Sequence, residues 1–213
     1  MNPVLDIKNL TIQFGDKTVI DRLSLSLMSG QKASLSGPSG AGKSTLLKAI
    51  LGFVIPQSGT IQVKGTLMSA NTIWKLRREL AYVPQEPEME AGPVREVIAR
   101  PFQFQANQSL KNNLNNIPEL FDRFLLTSDL LDKDITQLSG GEKQRVALIM
   151  SILLNRKIFL LDEVTSALDA DSKKAVKTWF DEQSDVTVLA ISHDPEGFYY
   201  PDHLIPLKGN HQE

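Results

Sequence analysis

Eight residues early in the chain, Gly37-Pro38-Ser39-Gly40-Ala41-Gly42-Lys43-Ser44, fit G-x-x-x-x-G-K-[ST] at every fixed position. They restrict the fold more than any other feature. The glycines at 37, 40 and 42 let backbone N–H groups turn inward around an anion where side chains would block it. Lys43 is a mobile point charge for the outer phosphates, and Ser44 offers a hydroxyl to Mg²⁺. Pro38, Ser39, Ala41 and Thr45 complete the lining. The neighbours agree: residues 31–36 read as a strand entering the loop, and Leu46, Leu47, Ile50 and Leu51 form one helical face after it, which Gly52 ends. The helix turns its positive end toward the loop. A strand, glycine turn and helix in this order call for an α/β core with a mostly parallel sheet. The ligand expected there is a nucleoside triphosphate with its Mg²⁺.

The rest of that sheet is readable further on. Residues 158–161 (IFLL) and 186–191 (VTVLAI) are short unbroken apolar runs, as strands covered on both faces require. A helical stretch at 172–183 separates them. Asp162 and Glu163 follow the first run, at the strand tip where such sheets bind ligands. Asp162 there can hold the cation, and Glu163 can polarise an attacking water. Elsewhere the pattern differs. Leu23, Leu25 and Leu27 alternate with Ser24 and Ser26, a half-exposed antiparallel strand, and residues 59–63 (GTIQV) read as another. Residues 105–118 are rich in Asn and Gln, and Leu120, Phe121, Phe124 and Leu125 follow at helical spacing. The expected plan is one domain, residues 1–213. Its core lies at about 1–85 and 155–213, with an antiparallel β subdomain, and a helical subdomain is inserted at about 86–154.

At Leu138-Ser139-Gly140-Gly141-Glu142-Lys143-Gln144-Arg145 the chain resembles the ATP-binding cassette (ABC) ATPases, of which LSGGEKQR is similar to the signature. Ser139 suits a helix N-cap, and two following glycines bare the amides of a second anion site. The resemblance extends further. Gln85 in YVPQ matches the glutamine loop, Ser166-Ala167-Leu168-Asp169 the aspartate loop, His193 the histidine switch, and Phe14 the aromatic that stacks on adenine. It implies a P-loop NTPase fold and Mg²⁺-dependent ATP hydrolysis. Glu163, His193, Gln85 and Lys43 would be the catalytic set, with Ser44, Gln85 and Asp162 around the metal. The loop residues, with Ser139, Gly140, Gly141 and Glu142, would hold ATP. Two departures stand out: Val164, where the family commonly has Pro or Ala, and the polar Ser34 and Ser36 in the strand before the loop.

The resemblance also implies a working unit. The signature of one cassette caps the ATP held by another, so a second copy of this chain is an expected partner in an ATP-dependent homodimer. A transmembrane permease subunit on a separate chain is the other. The longest apolar stretch, residues 146–154, contains Ser151, and a bilayer needs about 20 residues. The expected place is therefore peripheral, on the cytoplasmic face of the inner membrane. Docking is expected near Gln85 and residues 86–104, where Glu88, Glu90, Arg95 and Glu96 could tune it. Net charge is −2 with scattered lysines, which argues against a nucleic-acid partner. The absence of cysteine removes disulfides and thiolate metal sites. The compact chain is most similar to the small cassettes of bacterial metal (iron) exporters. The alternative is a soluble cassette ATPase serving a partner such as a metal-cluster assembly complex.

Overall fold

The structure, a computed structural model, describes residues 2–192, 194 and 197–208. In chain order the elements begin with β1 (Leu5–Phe14), β2 (Lys17–Leu27), β3 (Lys32–Ser36) and helix α1 (Lys43–Ile50). Next come β4 (Ser58–Val63), β5 (Thr66–Leu67), α2 (Ile73–Arg77) and β6 (Leu80–Val83). A helical stretch holds α3 (Val94–Ala99), α4 (Ile117–Arg123) and α5 (Gly140–Leu153), joined by 3₁₀ turns. The chain returns through β7 (Ile158–Asp162), α6 (Ala170–Glu182), β8 (Thr187–Ile191) and β9 (Leu204–Pro206).

Two sheets result. The antiparallel one runs β2-β1-β4-β5 and the parallel one β6-β7-β8-β3-β9. In β2 the expected alternation is realised, with Leu25 and Leu27 buried and Ser24 and Ser26 exposed. The parallel strands divide their apolar residues between two cores. Ile158 and Leu160 of β7 face α1 and the antiparallel sheet. Phe159 and Leu161 face α5, α6 and the helical stretch. That two-sided burial is why these strands read as unbroken apolar runs.

Phe180 anchors the second core. It meets Phe159, Trp179 and Phe198 edge-on at centroid distances of 5.0, 4.9 and 5.1 Å. Val164, one of the two departures from the family pattern, is buried in the same core. The other is also accounted for. Ser34 is fully buried, and its hydroxyl donates to the Phe198 carbonyl at 2.9 Å and accepts from the Tyr200 amide at 2.8 Å. A polar atom in the core is tolerated because both its roles are used.

Two local features remain, the second a shift from expectation. The Asn/Gln-rich segment is a 3₁₀ run, Gln105–Asn116, tied in by Asn107 and Asn113. Leu125 is half exposed rather than part of the apolar face of α4: it leaves the helix at φ 56, and Leu126 takes the buried place instead.

Candidate functional site

The glycine loop joins β3 to α1, and its glycines answer to local geometry. Gly42 has φ 89, and a Cβ there would lie 2.7 Å from a Val19 methyl. A Cβ on Gly37 would meet the Leu207 carbonyl at 2.5 Å. Only glycine fits such positive-φ sites without strain. No side chain caps α1, so its leading amides keep their donors for an anion. Lys43 is buried inside the loop, its ammonium donating to the carbonyls of Gly37 at 2.8 Å and Pro38 at 3.0 Å.

β7 brings Asp162 beside this loop. The Ser44 hydroxyl donates to Asp162 Oδ1 at 3.3 Å, and the Tyr82 hydroxyl to Oδ2 at 3.4 Å. Burial raises the Asp162 carboxyl above its ordinary range, against the opposing hydrogen bond from Ser44. Tyr82 is pushed up to about 12 by burial and by the neighbouring Asp162 charge, so it keeps its proton and can donate. A hydroxyl and a carboxylate converging here are hard oxygen donors. That set suits Mg²⁺, which commonly uses one or two carboxylates, phosphate oxygens and waters. Among the described residues no group of three or more His, Cys, Asp and Glu side chains could hold a metal.

Glu163 follows at φ 49, a left-handed conformation uncommon for a side chain of its size. Its amide donates to the Ile191 carbonyl at 3.0 Å and its own carbonyl accepts from Ser166 at 3.1 Å. Held at both ends, the backbone turns the carboxylate toward Gln85, whose Nε2 donates to Oε2 at 3.1 Å. The structure thus brings Lys43, Ser44, Asp162, Glu163 and Gln85 together, with Gln85 meeting Glu163. Phe14 stands exposed at the end of β1, paired with Lys17. Val19, two residues along β2, touches Gly42, which sets the hairpin beside the loop. The histidine expectation at His193 lies outside the described residues.

Ser139, Gly140, Gly141 and Glu142 open α5. Ser139 and Glu142 form a reciprocal capping box, with the Ser139 amide donating to Glu142 Oε2 at 2.8 Å. Those bonds, the backbone one first, lower the Glu142 carboxyl below its ordinary range. The two glycines differ. A Cβ on Gly141 would strike the Ala167 carbonyl at 2.8 Å, whereas one on Gly140 would find only Ala167 Cβ, at 4.0 Å. Internal packing therefore accounts for Gly141. Gly140 leaves an exposed backbone surface that packing does not require. Asp169 caps α6, accepting from the Ser172 amide and hydroxyl at 2.8 Å each.

Three contributors do not stand out in the sequence. Tyr82 holds Asp162, Gln144 donates to the Pro84 carbonyl at 3.0 Å, and Arg145 hydrogen-bonds Ser172. All three lie in the YVPQ and LSGGEKQR segments, but their partners are 27 to 80 residues away.

Comparisons with known proteins bear on the family and the fold. The family model described as ABC transporter matches residues 20–166. The probable iron export ATP-binding protein FetA of Escherichia coli (strain K12) is 33% identical over 97% of this chain and 92% of its own length. The energy-coupling factor transporter ATP-binding protein EcfA of Pediococcus pentosaceus is 32% identical over 97% of this chain and 76% of its own. Among solved structures, a bacterial Atm1-family ABC exporter with ATP bound superposes at TM-score 0.82 with 26% identity. The match covers 98% of this chain and 38% of that one. The structure of cbiO1 from Clostridium perfringens, part of the ABC transporter complex cbiONQ, has TM-score 0.73 at 23% identity over 91% of this chain and 80% of that one, a likeness of fold.

Proposed function

Because the chain belongs to the ABC transporter family, we propose that it is the Mg²⁺-dependent ATPase subunit of a transporter whose membrane-spanning part is a separate chain. The observation that carries this reading is the meeting of Ser44, Asp162, Glu163 and Gln85 at the mouth of the glycine loop. ATP would lie with its phosphates in residues 37–45 and its base near Phe14. Lys43 would give up its two loop carbonyls for the outer phosphates. Mg²⁺, held by Ser44 and Asp162, would neutralise charge developing on the phosphate oxygens. Glu163 would accept a hydrogen bond from the attacking water, and Gln85 would hold that carboxylate in place. His193 is proposed for the γ-phosphate.

Pairing completes the site. The bared amides of Gly140 and Gly141, beside Ser139, would cap ATP on a second copy, a homodimer held by nucleotide and released by hydrolysis. Among the described residues no helix is long and apolar enough to cross a membrane. The proposed place is peripheral, on a permease, and the family role supports it. Phe104, Glu88 and Glu96 stand exposed in the segment proposed to dock. The FetA relative's name supports a metal cargo such as iron. The rival reading is a soluble cassette ATPase.

The test pairs chemistry with assembly. Lys43→Ala should weaken ATP binding, and Glu163→Gln should keep binding while turnover falls by about 10²-fold or more. With ATP, Glu163→Gln should run as a dimer on a sizing column, and Ser139→Arg should not. Wild-type turnover in Glu163→Gln removes Glu163 from its role. Co-expression with a candidate permease should carry the chain to the membrane fraction, and reversing Glu88 and Glu96 should weaken that shift. Capture by a soluble partner instead supports the rival.

A further inference from the structure

One buried side chain links the two ends of the proposed machine. Gln144 is 1% exposed, and its Nε2 donates to the Pro84 carbonyl at 3.0 Å. Swapping its amide would set two acceptors against each other, so the bond fixes its orientation. Its Oε1 has no hydrogen-bond partner among the described residues. The Pro84 carbonyl and the Gln85 N–H belong to one peptide group, which is planar and moves as a unit. Gln85 in turn holds Glu163 at 3.1 Å. A path therefore runs from Glu163 through the Gln85 side chain and the 84–85 peptide to Gln144, one turn and a half along α5 from the Ser139 cap.

Beyond Gln144, α5 is stiff. Val146, Leu148 and Ile149 are fully buried, and Arg145 ties the same turn to Ser172 at the start of α6. A close-packed helix responds to a pull near its start by shifting as a body rather than by bending. The 84–85 peptide is the point where that pull would arrive.

We propose that Gln144 is a positioning residue that transmits the state of this chain's own Glu163–Gln85 pair to the Ser139–Gly141 surface it offers to a second copy. The inference rests on the shared-site reading above. It makes the two ATP sites of a pair communicate through two hydrogen bonds in each chain, Gln85 to Glu163 and Gln144 to Pro84.

The experiment uses Gln144→Met, of similar length with no donor, and Gln144→Leu as a second variant. Hydrolysis is followed against ATP concentration at each of several chain concentrations, with melting temperature and binding of a fluorescent ATP analogue to dilute chain alongside. The wild type should show cooperative turnover, the second ATP favoured over the first by about fivefold or more. In Gln144→Met that preference should fall toward parity, with single-chain nucleotide affinity unchanged. Gln85→Ala should lose cooperativity too, and Gln85→Ala/Gln144→Met should lose no more than Gln85→Ala alone, since both break one path. Additive losses in the double variant overturn the proposal. So does a cooperative Gln144→Met that only melts lower, which would make Gln144 a packing residue, and so does failure of both variants to fold. A wild type whose turnover ignores chain concentration defeats the shared-site reading itself. A cooperative wild type with an equally cooperative Gln144→Met defeats only the role of Gln144.

Discussion

Asp162 shows what the site asks of a single residue. Its carboxyl is raised by burial, so the folded chain holds that proton more firmly than the unfolded chain does. A raised group stabilises the fold fully below its unfolded pKa, and that contribution is lost as pH rises through the folded value. At neutral pH the ionised Asp162 is thus a cost to the nucleotide-free protein. Asp162→Asn should raise the melting temperature of the free chain while abolishing Mg²⁺-dependent turnover, read by calorimetry and phosphate release. A lower melting temperature would contradict the assignment of burial as the dominant cause. Gly42 makes the opposite case. Gly42→Ala combines a positive φ with a 2.7 Å approach to Val19, so it should lose more than about 1 kcal/mol of stability and weaken ATP binding. Equilibrium urea unfolding and a nucleotide titration would measure both.

At the level of elements, the start of α5 depends on the Ser139–Glu142 box. Ser139→Ala should cost about 1 kcal/mol in urea unfolding. The lowered Glu142 carboxyl contributes stability above its unfolded pKa, and that is lost as pH falls through the depressed value. Acid titration of Glu142→Ala should show less loss of stability across that window than the wild type. The aromatic lattice around Phe180 is the other sensitive element. Phe180→Ala should cost about 3–5 kcal/mol, seen as a shift in the unfolding midpoint. The elements that read clearly in sequence are those whose signal is local: the glycine loop, the apolar runs of β7 and β8, the Ser139 cap. Leu125 misleads because helical spacing does not reveal where a helix stops, and the left-handed exit at that residue carries no glycine to mark it. Tyr82 and Gln144 lie inside recognisable motifs, yet their partners, Asp162 and Pro84, are chosen by the packing of distant elements. The 3₁₀ run at Gln105–Asn116 is mostly polar and is held by Asn side chains reaching backbone carbonyls.

For the whole molecule, nucleotide and pairing should act together. ATP that bridges two copies stabilises by mass action, so in Glu163→Gln the melting temperature with ATP should climb with chain concentration, and in Ser139→Arg it should not. The order of strands adds something of a different kind. β3, which leads into the glycine loop, finds its strand neighbours among the described residues in β8 and β9. The Leu207 amide closes on Ser36 at 2.8 Å, and the Leu207 carbonyl crowds Gly37. The loop is thus made well before its frame, strands β8 and β9. Until then β3 has an unpaired edge on both sides, a state prone to mispairing. A nascent chain halted before residue 187 would carry the whole glycine motif and still be unable to grip a nucleotide, so the catalyst is switched on only once β8 and β9 have been made.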